Sequence, residues 1–555
     1  MKMSKILTLE YNLAELPSSQ HRAGLAGLVL MVDWLRGEFE KDQIDAEMVI
    51  CRRIELGEAR AAFEMNKDGY KFLFDKVYGY FRKAEEKAKK PEGKTAKFTE
   101  KIVDGKITYT QFILQPQGAF LADYDSTNQT NDGIWIKLWR DMFFQVIRPD
   151  YHPKHHFNNR EEGKVNKDET ELWKNLQTPP KEGTSVKHSL FLSAVEKNAE
   201  DVPFIDQPRF LLLLHFWVFI AQIYVPATAE YDKKKKKFVM ERIGYSLTVP
   251  DVSNLKVFCA KFPDKILRQR GATAHGYFKS LPEESLVDIA AEGALDFMHK
   301  LNRILPEEVS EIIINRVLFG IDVFHLKKKS KGGVDIINTS RINPSYNTDK
   351  YATIKRNYQN YFFRRQRMLN FLNDKDWFYG FDLLLGKTDT EQTFGNSYFG
   401  NDVRKAFEDI GVTNKLKGAN NMETTAAEVA PKTIEAITYD LVTSYIREKL
   451  KDKYQLKWSD VKGKPKEEDE YNEKKGKIAR EAFLAIRNQA DKDFVKYFAS
   501  TLCLYHQFSL KGDGYSLIAE ALYNKEKVGQ LRTLTMLALS ANGYSPKSDK
   551  QGETK

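Results

Sequence analysis

Cysteine is scarce. Cys51, Cys259 and Cys503 are the only three in 555 residues, and they stand far apart. That excludes a CxxC zinc site and a disulfide framework, and it suits a reducing compartment. Long apolar runs are also missing. The most apolar stretch, Phe210 to Val225, is interrupted by His215 and Gln222. It is too short and too polar inside for a membrane span, so it predicts a buried helix. The opening MKMSKILTLEYNLAEL alternates like a strand and lacks an apolar signal-peptide core, which predicts a cytoplasmic chain with no membrane partner. No Walker A, G-x-S-x-G or H-E-x-x-H pattern occurs, and no internal repeat is visible. His152, His155 and His156 lie together in DYHPKHH but lack a helical H-x-x-x-H frame, a neighbouring Glu at fixed spacing and a Cys partner. They read as a polar loop, so neither a metal nor a cofactor is expected.

What is present is enough to fold. Hydrophobic residues make up 42% and aromatics 12% of the chain, which excludes wholesale disorder, and the length calls for several domains. The net charge of +10 is concentrated. Residues 327–367 hold eleven cations (Lys327, Lys328, Lys329, Lys331, Arg341, Lys350, Lys355, Arg356, Arg364, Arg365 and Arg367) against Asp335 and Asp349, a net +9. Residues 1–326 are neutral, 368–421 carry −2 and 422–555 carry +3. Tyr346, Tyr351, Tyr358, Tyr361, Phe362 and Phe363 are interleaved with those cations. Lys and Arg neutralise phosphates and aromatic faces stack on unpaired bases, so the segment is a candidate nucleic-acid contact. Gly332 and Gly333 follow the lysines, where backbone can approach a phosphate closely. The bland alternative is a solvated loop followed by a helix whose aromatics are core. Lys233 to Lys237, between strand-like residues, reads as an exposed hairpin tip.

The pattern along the chain predicts an α+β protein: a mixed α/β N-terminal region over 1–326, a basic, mainly helical region over 327–421, and a C-terminal helical bundle over 422–555. Ile6, Leu7, Leu9 and Tyr11 predict a first strand, and Pro17-Ser18-Ser19 opens a helix. Glu47 to Glu55, Ile102 to Leu114 and Phe238 to Val249 hold strand-like stretches. Residues 151–187 are polar and Pro/Gly-marked, which predicts a long surface insertion. Ser280 and Glu283 have capping-box spacing and predict a helical region from about Leu281 onward. Ile434, Ile437, Leu441 and Tyr445 fall on one helical face. Ile478, Ala482, Ile486, Ala490, Phe494, Phe498 and Leu502 form a stripe at four-residue spacing, and Leu517 to Leu537 supply a third run. Lys462 to Lys475 reads as a charged connection.

Two short patterns carry possible chemistry. Arg270 and His275 form R-x4-H in RQRGATAHGYF, which resembles the active-site motif of HEPN-type ribonucleases. Gly271 and Gly276 favour a turn there instead. The loop YDSTNQTNDG offers the amides of Asn128, Gln129 and Asn131, suited to base edges in a groove. The same composition is ordinary turn chemistry.

The opening LTLEYNLAELPSSQHRAGLAGLVLMVDWL resembles the start of the large subunits (Cmx8-type) of the type I-B CRISPR Cascade complex. The matching residues are Leu16, Pro17, Gln20, His21, Arg22, Ala23, Gly24, Leu25, Ala26, Gly27 and Leu28. Packing of the small residues is the simpler reason for the motif than a His21/Arg22 catalytic pair. The resemblance implies a non-catalytic subunit of an RNA-guided complex. Such a subunit sits by the guide crRNA 5′ handle, reads the protospacer-adjacent motif (PAM) on double-stranded target DNA, helps unwind it and supports the displaced strand. It implies as partners the Cascade backbone, handle-side and small subunits, and a separate helicase-nuclease or transposition adaptor. On this reading Asn128, Gln129, Asn131, Gly332 and Gly333 are PAM-reading candidates. The resemblance also implies that small subunits can arise by internal translation, for which Met422 is the candidate start, giving 134 residues. The competing expectations are a stand-alone ribonuclease using Arg270 and His275, and a general single-stranded nucleic-acid-binding protein.

Overall fold

The computed structural model describes residues 5–78, 81–88, 98–103, 106–125, 127, 133–147, 163–164, 167–186, 190–192, 204–232, 237–268, 277–278, 281–302, 310–329, 334–344, 346–387, 397–410, 433–505 and 513–543. The chain forms two compact units, Met1–Asp349 and Lys350–Lys555.

In the first unit, β1 (Leu7–Asn12) alternates as expected, burying Leu9 and Tyr11. Ser18 caps α1 (Ser19–Lys41), its side chain accepting from the His21 N–H. β2 (Cys51–Leu56) and β3 (Arg60–Met65) complete an antiparallel sheet of order β1-β3-β2, with Leu9 opposite Phe63. Asn66 links β3 to α2 (Lys67–Tyr78), its side chain accepting from the N–H groups of Ile50 and Gly69. A second sheet orders β4 (Phe81–Ala88), β5 (Phe98–Val103) and β6 (Lys106–Pro116) as β4-β6-β5. Helices α3 (Ala119–Ala122), α4 (Ile134–Met142) and α5 (Lys167–Gln177) follow. α5 lies inside the stretch expected to be a surface insertion; Leu172, Trp173 and Leu176 bury one face of it, which makes an amphipathic helix of a polar sequence.

The short strands β7 (Thr184–Ser185) and β8 (Ile205–Asp206) pair and lead into α6 (Pro208–Leu213). The expected buried helix over Phe210 to Val225 is therefore cut short. After Leu213 the chain turns, makes one 3-10 turn at Trp217–Phe219 and enters β9 (Gln222–Asp232). All of 210–225 is buried as expected, but a fully buried apolar run carries no periodicity that separates helix from strand. β9 pairs with β10 (Lys237–Arg242), Asp232 opposite Lys237, as the hairpin reading requires. β11 (Tyr245–Val252), α7 (Leu255–Phe262), β12 (Tyr277–Phe278), β13 (Leu281–Pro282) and β14 (Leu286–Val287) come next.

The helix expected from Ser280/Glu283 starts later, as α8 (Glu292–Asn302), preceded by β13, a 3-10 turn and β14. Its start is instead marked by Glu292, whose carboxylate accepts from the Asp288 N–H at 2.7 Å. Ser280 lies outside the described residues. After α9 (Ser310–Val317), β15 (Leu318–Lys328) and β16 (Val334–Ile342) close the largest sheet, of order β10-β9-β11-β15-β16 with β14 beside β9. The helical region thus begins about 65 residues later than the pattern predicted, because β15 pairs with β11, a pairing that no local window contains.

The second unit is helical. α10 (Thr348–Asn357) straddles the boundary; α11 (Tyr361–Leu372), α12 (Phe381–Lys387) and α13 (Ser397–Asp409) precede α14 (Ile434–Tyr454). α15 (Trp458–Val461) leads to α16 (Pro465–Ile486), which takes in the expected charged connection. Pro465 stands at its first position with Glu467 and Glu468 in the first turn, both favourable there. α17 (Asp491–Tyr497), α18 (Asp513–Tyr523) and α19 (Lys525–Gly543) complete the unit. The four-residue stripe divides between α16 and α17, with Ala490 as the cap between them. α19 is the central helix, packed by α12, α13, α14, α16 and α18, with Leu531, Leu534 and Leu537 fully buried. Among the described residues no helix is long and apolar enough to cross a membrane.

Candidate nucleic-acid interface

The Q-H-R-A-G-L-A-G-L motif forms the first turns of α1. The His21 ring is fully buried, 2.8 Å from Ser18 Oγ and 2.9 Å from Asp206 Oδ2, and packed against Phe191 and Phe210. Gln20 Oε1 accepts from the Leu192 N–H at 3.1 Å. Gly24 and Gly27 sit directly against the backbone of Leu213 and Phe216, where a Cβ would overlap a carbonyl oxygen. The motif is a packing device, as the sequence suggested. Arg22 has a different role. Its Nε and Nη2 donate to Asp251 and its Nη1 to the Leu16 carbonyl at 2.6 Å.

Asp251 on β11 is only 1% exposed on its side chain and also accepts from Arg341 Nη2 at 2.6 Å. Arg341 Nη1 donates to Asp322 at 3.0 Å. This predicted phosphate contact is thereby held in a four-membered ion-pair cluster on the sheet surface. Gly320, opposite Asp251, permits it: a Cβ there would lie 3.0 Å from the Arg341 guanidinium.

β15 and β16 form a hairpin whose turn end carries Lys327 to Lys329. Lys327 and Lys328 are exposed at the end of β15, and Lys329 pairs with Asp335 at 2.9 Å. Nearby, burial raises the Asp141 carboxyl above the usual range, against the pull of Arg140, Lys137 and Lys328. Lys331, Gly332 and Gly333 lie outside the described residues. So do Asn128, Gln129, Asn131, Arg270, His275, the three histidines of DYHPKHH and Met422.

The remaining cations belong to the second unit. Lys350 lies 5.7 Å from the Phe371 ring and Lys355 5.9 Å from that of Tyr351. Arg364 Nη1 donates to the Tyr358 carbonyl at 3.2 Å. Arg367 is buried between Tyr358 and Trp377, 5.6 and 5.5 Å from their rings, a cation–π clamp. Arg356 and Arg365 are exposed. Among the interleaved aromatics, Tyr351, Tyr358 and Phe363 are buried, Phe363 packing on Tyr358, Phe381 and Phe399. The bland reading, aromatics as core, holds for these three. The segment is divided between the sheet of the first unit and the helices of the second.

Sequence reasoning passed over Phe319 and Asp251. Phe319 is 56% exposed, with Arg22 Cζ 5.8 Å from its ring centroid. A lone F-G in an alternating strand gave no signal, since its exposure comes from how β15 meets β11. Among the described residues no group of three or more His, Cys, Asp or Glu is arranged to hold a metal ion.

Comparison with known families places the chain among CRISPR-associated proteins. The model described as the type I-B CRISPR Cas8b N-terminal domain matches residues 50–311, and that described as the type I-B CRISPR Cas8b C-terminal domain matches 318–542. The chain belongs to the type I-B CRISPR Cas8b family, a large subunit of type I-B Cascade. No curated protein matches it. The motif at 16–28 lies ahead of both matched spans. The C-terminal match opens at β15, although β15 and β16 are built into the sheet of the first unit.

Proposed function

We propose that this chain is the non-catalytic large subunit of a type I-B Cascade surveillance complex, acting in the cytoplasm with a guide crRNA. It reads the PAM on duplex DNA, helps separate the strands, stabilises the R-loop and contributes to recruiting a downstream helicase-nuclease or transposition adaptor. The observation that carries this reading is the pair of family matches covering nearly the whole chain. The division of labour follows from RNA-guided recognition: base pairing reads the long target, and protein reads a short duplex element. The exposed Lys327 and Lys328 at the hairpin end are suited to phosphates, and Asn128, Gln129, Asn131, Gly332 and Gly333 remain the candidates for PAM reading.

Co-expression with the other Cascade subunits and a guide RNA tests this. The chain should co-purify with the guide and confer motif-dependent binding of duplex DNA. A complex that forms and binds equally well without the chain would refute it.

A further inference from the structure

We infer that Phe319, flanked by Arg22 and Arg341, is a stacking platform for one unpaired nucleotide of a single strand; this rests on the reading of the chain as a nucleic-acid-binding subunit. The β11–β15 register passes from Val252 opposite Leu318 to Asp251 opposite Gly320, so Phe319 is the extra residue of a β-bulge. A bulge re-aims a side chain. Leu318, Ile321, Val323 and Leu326 of the same strand are buried, while Phe319 is 56% exposed. A large aromatic left in water is unfavourable by itself, and this one is held in place by its surroundings.

Those surroundings are chemically specific. The Arg22 guanidinium lies 5.8 Å from the ring centroid, and Arg341 passes over Gly320, the next residue. Both are anchored on the buried Asp251, Arg22 also on the Leu16 carbonyl and Arg341 on Asp322. Each guanidinium has five N–H groups, and these bonds use three of those on Arg22 and two on Arg341. Side-chain exposures of 18% and 44% keep both arginines within reach of solvent. A flat ring with a fixed guanidinium over one face fits a base stacked on the opposite face and its phosphate or carbonyl oxygens on the guanidiniums. The two arginines and two aspartates balance in charge. Stacking rather than counterion release therefore supplies the affinity, in contrast to Lys327 and Lys328.

Guide RNA and displaced DNA share this chemistry. The full-length chain, free and assembled in its complex, is titrated into fluorescein-labelled dT20, U20 and a matched duplex, with anisotropy as the readout. Phe319→Ala is expected to weaken single-strand binding roughly five- to hundred-fold with an unchanged salt slope, Phe319→Trp to bind within about twofold of the parent, and duplex binding to be unaltered. A loss confined to U20 assigns the platform to RNA, and one confined to dT20 to DNA. A 5-iodouracil probe should crosslink to Phe319, a readout that holds even where a variant folds poorly. If Phe319→Ala binds both strands like the parent, or no crosslink forms, the platform is wrong while nucleic-acid binding by the parent still stands. If the parent binds none of the probes in either form, the functional reading fails as well.

Discussion

Gly24 of α1 rests on the carbonyl group of Leu213, with no room between them for a methyl group. The α1 helix is thereby packed backbone to backbone on the last residue of α6. Gly24→Ala gains a little helix propensity but must push the Leu213 backbone away, so a net destabilisation of about 1–3 kcal/mol is expected. Urea denaturation of the two proteins measures it. An unchanged midpoint would show that the packing is not tight.

Asp251 joins α1 to β16 through Arg22 and Arg341. Asp251→Ala strips a buried partner from two guanidiniums and is expected to cost about 3–5 kcal/mol. Arg341→Ala leaves Arg22 in place and removes a half-exposed side chain, so its cost is expected to be smaller. Equal losses in thermal melts would mean that Arg341, not Asp251, is the hub.

Lys327→Ala/Lys328→Ala is expected to weaken binding of every DNA sequence alike and to reduce the salt slope by about 0.9 for each phosphate no longer neutralised. Asn128→Ala and Gln129→Ala are expected to weaken only motif-bearing targets. Mobility shifts across a salt series separate the two classes. Indiscriminate weakening in all the variants would remove the base-reading role from the Asn/Gln loop.

Asp402 gives the second unit a pH dependence. Burial raises its carboxyl from 3.8 to about 6, although the backbone N–H groups of Asn360 and Gln359 favour the anion. The folded state therefore holds the proton more tightly than the unfolded state. This group's contribution is full below 3.8, is lost as pH rises to about 6, and is constant above that. Asp402→Asn keeps an acceptor for the Asn360 N–H and should remove that component from a denaturation series between pH 3.5 and 7. Superimposable pH profiles would refute the assignment.

The helical unit also bears on Met422. The Phe407 ring of α13 packs 4.8 Å from Tyr439 of α14, and α13 lies along α19. A product starting at Met422 lacks α10 to α13 and exposes that apolar face. If it exists, it should appear as a 134-residue species in intact mass spectra of the complex and self-associate when expressed alone. A complex containing only full-length chain would end the idea.

Sequence alone determined the first strand, the Ser18-capped α1, the close packing of its glycines, and the helices of the C-terminal third. Each depends on periodicity, capping or small-residue spacing within one short window. The resemblance carried by residues 16–28 pointed to the family that the matches over 50–542 then showed. Tertiary structure decided the rest. Phe210 to Val225 became helix, turn and strand because a wholly buried run has no polar face to set its period. β15 and β16 became strands because β11, far back in the chain, offered an unpaired edge. The charge of the +9 segment is written in its residues, but only the fold divided it into exposed lysines, an ion-pair cluster at Asp251 and cations clamped on buried rings. Phe319 was invisible for the same reason: its exposure is a property of strand register, which exists only once distant strands have met.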